Sequence, residues 1–281
     1  MSIQIITDSA SDIPCQARAD VTVLPMTITF NETEYKDGVD LSHQEFYERL
    51  IESSELPTTS QIPPFQFAEA IRQAMSEGKE VIVVTLSAKL SGTYQSACIA
   101  ASEFDQGVYV VDSENVTVGE HALVEYALRL KEQGMDAASI VEKLNADKKH
   151  IRLIALLDTL EYLKKGGRIG KAAAFAGGVL SIKPVIAIEE GEVTILGKAR
   201  GSKQGNNFLA QKIQACGVDF QKPYFLGYTG LNDTLLQKYI EDSRELWKDN
   251  VENLAISSVG GTIGTHAGPG AIAVAFFALN V

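Results

Sequence analysis

The feature that most constrains this chain is a repeated alternation of two hydrophobic periods. Short β-branched runs at 3–6, 21–24, 81–85, 108–111, 151–157, 185–188, 193–196, 224–227, 254–257 and 272–277 read as strands. Between them lie segments of helical period at 42–52, 64–77, 92–103, 117–133, 137–148, about 159–182, 203–215 and 232–248. Ser42 followed by Glu45 is a capping box, which fixes one helix start. A strand followed by a helix and a second strand favours parallel pairing, so the pattern predicts an α/β protein with mainly parallel sheets.

Two segments interrupt the alternation. Residues 27–38 read as a small hairpin inserted after the second strand, and 184–196 as a second hairpin turning at Glu190-Gly191. Hairpins inside a βα pattern predict a separate mixed sheet in the later part. With a boundary near 150, after the polar helix end NADKKH, this gives a parallel-sheet N-terminal domain over 1–150 and an α/β C-terminal domain over 151–281. The 281 residues suffice for two ordinary domains with real cores. No repeat or low-complexity linker separates them, so close packing with a cleft between is expected.

Composition narrows the class. The chain is 45% hydrophobic and carries a formal net charge of −11, which fits a soluble globular protein and disfavours a general nucleic-acid binder. Cys15, Cys98 and Cys216 are odd in number and lack C-x-x-C spacing, so reduced thiols and a cytoplasmic location are expected, without a thiolate metal site. The longest uninterrupted apolar run, 271–279, is nine residues, too short to span a membrane.

Charge is unevenly spread. Between Lys164 and Lys203 eight basic residues face three acids, a local +5 that leaves −16 on the remainder. For most of these lysines a solvated face explains the pattern. Arg168 differs, because Gly166, Gly167 and Gly170 around it allow close backbone approach and let the guanidinium point into a cleft, where it can meet an anion. Four hydroxyl-rich loops, at 7–12, 57–61, 87–93 and 111–113, leave strands or open helices. They read either as helix caps or as an anion site at the carboxyl ends of the strands. His266 sits among glycines in 257–270, read as a loop that presents its imidazole to a ligand; a structural histidine is the alternative. There is no G-x-x-x-x-G-K-[ST], G-x-S-x-G or H-E-x-x-H, and the four histidines lack ligand spacing. The G-x-G-x-x-A match at 268–273 has no following helix to receive a pyrophosphate.

The blocks TDSASDIP, PTTSQIPP, LSAKLSGTYQSA, VVDSENVTVG, DTLEYLKKGGRIGKAAAFAGGVLSIKPVIAI and GTHAGPGAIAVAFF, in that order, resemble the DegV family over nearly the whole chain. Its characterised members include the fatty-acid-binding B subunits of bacterial fatty acid kinase. The resemblance implies a two-domain DegV-like fold with a buried acyl-chain tunnel, a long-chain fatty acid as ligand, and no metal or other cofactor. It further implies that a separate ATP-binding kinase subunit phosphorylates the carboxylate. The family's head-group positions fall on Thr59, on Ser91 with the Gly92 backbone beside it, on Arg168 and on His266, and its phosphate- or kinase-facing arginine falls on Arg200. No residue of this chain is assigned a catalytic role. Two other functions are compatible with the residues: a self-sufficient phosphoryl or acyl transferase with His266 as base, and a lipid-responsive regulator that binds other proteins.

Overall fold

The computed structural model describes residues 2–14, 18–175, 182–247, 250, 252 and 254–280. Four strands, β1 (Ser2–Asp8), β2 (Val21–Leu24), β6 (Lys79–Thr85) and β7 (Val108–Asp112), form a wholly parallel sheet in the order β2-β1-β6-β7. Their alternation divides the apolar residues between two faces. Ile6, Val81 and Val83 pack under α2 (Pro64–Ser76) and α3 (Thr93–Ala101), while Ile5, Ile82 and Val84 pack under α4 (Thr117–Glu132) and α5 (Ala137–Asp147). Sheets covered by helices on both faces bury every strand, which is why these runs are continuously apolar.

The hairpin at 27–38 is present as β3 (Thr27–Phe30) and β4 (Thr33–Lys36), and it does more than fill a loop. The segment 57–61, read as a loop, contains a short strand β5 (Thr58–Ser60) that pairs antiparallel with β3, Ile28 opposite Thr59. α1 (His43–Glu52) closes this unit; its capping box is formed, with Glu45 N–H donating to Ser42 Oγ and Ser42 N–H to Glu45 Oε2.

The second sheet has six strands in the order β10-β9-β8-β13-β11-β12, comprising β8 (Ile151–Leu156), β9 (Ile182–Glu189), β10 (Glu192–Arg200), β11 (Tyr224–Tyr228), β12 (Ile256–Ser258) and β13 (Ile272–Phe277). Only β11–β12 pairs parallel; the other four pairings are antiparallel, so this sheet is mixed. β9 and β10 turn at Glu190 (φ 51°) and Gly191 (φ 79°), the left-handed pair that a two-residue hairpin requires. Ile154, Val185, Leu226 and Val274 face α7 (Gly201–Cys216) and α8 (Thr234–Asp242).

Three helical expectations are corrected. The region 159–182 holds only α6 (Glu161–Lys165) and a 3-10 turn at Gly170–Phe175, since Gly166 and Gly167 end α6; its part at 176–181 lies outside the described residues. The helix at 232–248 breaks at Ser243 into α8 and α9 (Arg244–Trp247), Ser243 Oγ donating to Tyr239 O and accepting from Trp247 Nε1; Lys248 is outside the described residues. His266 lies on a helix, α10 (Gly261–Ala267), and not on a loop. Gly261 and Gly264 there are packing glycines: an added Cβ would lie 2.4 Å from Ile28 and 2.6 Å from Tyr47 respectively. Cys98 and Cys216 are free thiols; Cys15 is outside the described residues.

Candidate functional site

Between the two sheets lies a cavity of about 380 Å³. Its floor is one face of the six-stranded sheet, where alternation places every second residue. Register aligns Gly227, Ala273, Ala155 and Ile186 in one row across β11, β13, β8 and β9, with Leu153 and Ile188 in the next. The small residues in the first row lower the floor and leave room above it. Met26, Leu86 and Leu90 come from the N-terminal half, Ile263 and Ala267 from α10. The walls are overwhelmingly apolar.

Polar groups gather at one end. Thr59, Ser91, Gly92, Arg168 and His266 all line this cavity, so residues from four separate stretches of sequence meet there. β5 holds Thr59, whose Oγ1 lies 3.1 Å from His266 Nε2 across 207 residues of chain. Ser91 accepts from Thr93 N–H at 3.2 Å and lies 2.9 Å from Thr93 Oγ1, so it also shapes the start of α3 as a capping group does. Arg168 donates through Nε to Leu90 O (3.1 Å) and through Nη1 to Gly166 O (2.8 Å), which fixes the guanidinium while leaving N–H groups uncommitted to those two carbonyls. Arg200 is not part of the wall. It is exposed at the junction of β10 and α7, its backbone N–H donating to Gln204 Oε1 at 2.7 Å. Within the basic block Lys171 pairs with Glu192 and Lys183 with Asp158, as solvated surface charges do.

Two glycines set the spacing of this end. A Cβ on Gly166 would lie 2.1 Å from His266 Nδ1, and one on Gly92 would lie 2.0 Å from Gln61 Oε1. Gln61, which donates to Ser96 Oγ at 3.0 Å and lines the cavity, was not distinguished by sequence reasoning; a glutamine beside a Pro-Pro helix start carries no signal of its own. Burial, with a smaller contribution from the Arg168 charge, pushes His266 down to about 4, so its imidazole is neutral near pH 7.

Behind the wall a layer of buried carboxyls anchors α10. Asp37 accepts from Gly261 N–H (3.0 Å), Thr262 N–H (3.1 Å) and Ser9 Oγ (3.1 Å); Asp12 accepts from Gly260 N–H (2.7 Å) and from the Thr117 hydroxyl. Asp8 accepts from Ala10 and Leu86 N–H, and Glu120 from Thr7. Burial pushes Asp8 up to about 7 and Asp12 up to about 8, and raises Glu120 well above the carboxylate range. Thr117 sits at φ 47°, strained for a β-branched residue, and its bond to Asp12 holds it there.

Among the described residues no group of three or more His, Cys, Asp or Glu side chains is placed to hold a metal ion, and no helix is long and apolar enough to cross a membrane. A model described as an uncharacterised protein of the DegV family matches residues 2–279. The chain belongs to the DegV family. A DegV domain-containing protein of Caldanaerobacter subterraneus subsp. tengcongensis is 35% identical over 279 residues, covering 98% of each chain. Among solved structures, this DegV chain is similar to a DegV family protein of Thermus thermophilus described by its fatty acid binding, with TM-score 0.89 and 31% identity over 99% of this chain and 100% of that one. It is also similar to a stearic acid-binding protein of Eubacterium ventriosum, with TM-score 0.83 and 27% identity over 98% of each. The two-sheet DegV fold is therefore shared along the full length of these relatives.

Proposed function

We propose that this chain binds one long-chain fatty acid and presents its carboxylate to a separate ATP-binding kinase subunit for phosphorylation to an acyl phosphate. In this reading 1–150 and 151–281 act as two lobes that enclose the ligand, in the cytoplasm. The observation that carries it is the cavity itself, with mainly apolar walls and with the hydroxyls of Thr59 and Ser91, the His266 imidazole and the Arg168 guanidinium among its lining groups. Burying about 15 methylenes at roughly 0.8 kcal/mol each gives a gross ~12 kcal/mol, so the tail supplies affinity. A carboxylate carried into the same cavity is strongly unfavourable unless donors meet it, so the polar end supplies orientation.

The donors divide the work. Orphaned acceptors cost less than orphaned N–H groups, and His266 Nδ1 has no partner among the described residues, so the proton is assigned to Nε2. Nε2–H then donates to Thr59 Oγ1, which turns the Thr59 hydroxyl outward as a donor to one carboxylate oxygen. The Ser91 hydroxyl and Gly92 N–H serve the other oxygen. Arg168 supplies positive charge next to the position where charge develops on phosphoryl transfer. Arg200, exposed on the same lobe, belongs to the surface that meets the kinase. The sequence carries no phosphate loop, so ATP and Mg come with the partner.

Calorimetric titration of delipidated protein with hexadecanoic acid tests the reading: one site per chain is expected, and no heat at any concentration would overturn it. ATP, Mg and fatty acid with this chain alone are expected to give no acyl phosphate. Acyl phosphate formed without a second subunit would replace the carrier with a self-sufficient transferase.

A further inference from the structure

The carboxylate site of the reading above is divided between two stretches of chain. Thr59 lies on β5, whereas Ser91 and Gly92 immediately precede α3. The two oxygens of one carboxylate have a fixed spacing, so the two halves of the site must be held at a set separation. β5 takes its backbone partners from β3, not from α3. Among the described residues a single side-chain hydrogen bond joins 57–63 to 87–101, Gln61 Nε2 donating to Ser96 Oγ at 3.0 Å. Both of its ends are tied to the site. Gln61 follows β5 directly, two residues past Thr59, and Ser96 N–H donates to Gly92 O at 3.0 Å in the first turn of α3.

The amide is not placed as a solvated surface group would be. Gln61 is exposed, and an exposed glutamine keeps its rotamer freedom by staying in water. Here the carboxamide reaches a hydroxyl on Ser96, a residue 1% exposed, and lies against Gly92, where an added Cβ would be 2.0 Å from Oε1 and 2.8 Å from Cδ. Gly92 has φ −74°, a backbone that any residue adopts, so what its missing side chain provides is room for the amide.

Resting on the fatty-acid reading above, we propose that Gln61 is a positioning residue, whose bond to Ser96 clamps β5 to α3 and so sets the gap between Thr59 and the Ser91–Gly92 pair that a carboxylate bridges. A carboxylate uses both halves of the site, and a neutral head group with one oxygen uses one. The clamp therefore acts on the preference between head groups, through preorganisation, and leaves tail burial as it is.

The test compares hexadecanoic acid with hexadecan-1-ol, which shares the tail and lacks the carboxylate, by calorimetry on delipidated protein. The wild type is expected to prefer the acid. In Gln61→Met, which keeps the bulk beside Gly92 and loses the hydrogen bond, that preference should fall about fivefold, the effect of loosening one hydrogen bond, with alcohol affinity unchanged. Ser96→Ala removes the partner and should give the same fall, and the double variant no further one, because both act through one bond. A preference that survives Gln61→Met, single effects that multiply in the double variant, or an equal loss of acid and alcohol binding each overturns the clamp while leaving fatty-acid binding intact. Equal affinity for the two ligands in the wild type overturns the carboxylate site and the clamp with it. Failure of hexadecanoic acid to bind at all overturns the fatty-acid reading itself.

Discussion

The floor and the polar end of the cavity are built by different rules. The floor comes from one sheet face, where strand alternation and register alone deliver Ala155, Ala273, Gly227 and their neighbours to a common surface. The polar end is assembled from a three-residue strand, a strand-to-helix loop, a glycine-broken helix and α10, and its central contact spans 207 residues. A floor of this kind depends on volume. The polar end depends on close approach, because two of its spacings exist only where glycine leaves a Cβ out.

This contrast can be broken most severely at the floor. Ala273→Phe places a ring over the row of small residues, and fatty-acid affinity is expected to fall at least about 100-fold, measured by calorimetry, since the overpacked ring and the tail compete for one volume. Wild-type affinity in this variant would show that the tail lies elsewhere. A smaller but more local effect is expected at Gly166. Its φ of −76° suits any residue, so Gly166→Ala tests mainly the contact with His266, with a lesser approach to Tyr162 O at 3.1 Å; displacing the imidazole should weaken binding about tenfold with little change in urea midpoint. Removing single hydroxyls sharpens the comparison further. Thr59→Ala and Ser91→Ala should each weaken binding by about 0.5–3 kcal/mol, Thr59 the more, because Ser91 also serves the start of α3. Unchanged affinity in the double variant, with the fold intact by circular dichroism, would leave both as capping and packing groups.

The smallest effect is on stability, and it reads the carboxyl layer behind the wall. Asp8 and Asp12 are raised from 3.8 to about 7 and about 8, so their contribution is full below the unfolded value and is lost as pH rises through those folded values. His121 and His266, lowered from 6.5 to about 4, act oppositely; their contribution is complete above 6.5 and is lost as pH falls through about 4. Between pH 6.5 and about 8 the carboxyls therefore act alone, and the urea midpoint should fall as the unfolding free energy drops by about 2 kcal/mol. Asp12→Asn should flatten that fall. A midpoint that is constant or rises over this range contradicts the assignment.

The same contrast explains what could be read from sequence. The strands of the floor follow from period-two runs of Val, Ile and Leu, and β13 begins and ends where the pattern places it. α10 could not be read that way, because its glycines are the ordinary signal of a loop; they are helical here since Ile28, Phe46 and Tyr47 occupy the space their side chains would take. β5 was hidden for a related reason, three hydroxyl residues having no partner in sequence until β3 supplies one. Thr59, Ser91, Arg168 and His266 could be picked out individually, but their meeting depends on contacts that no local pattern encodes.

The central claim is that the space between the sheets holds an acyl chain, and mass spectrometry of lipid extracted from the purified protein tests it most directly. One long-chain fatty acid per chain is expected, lost in Ala273→Phe. Protein that carries no lipid and does not take up added fatty acid would contradict it.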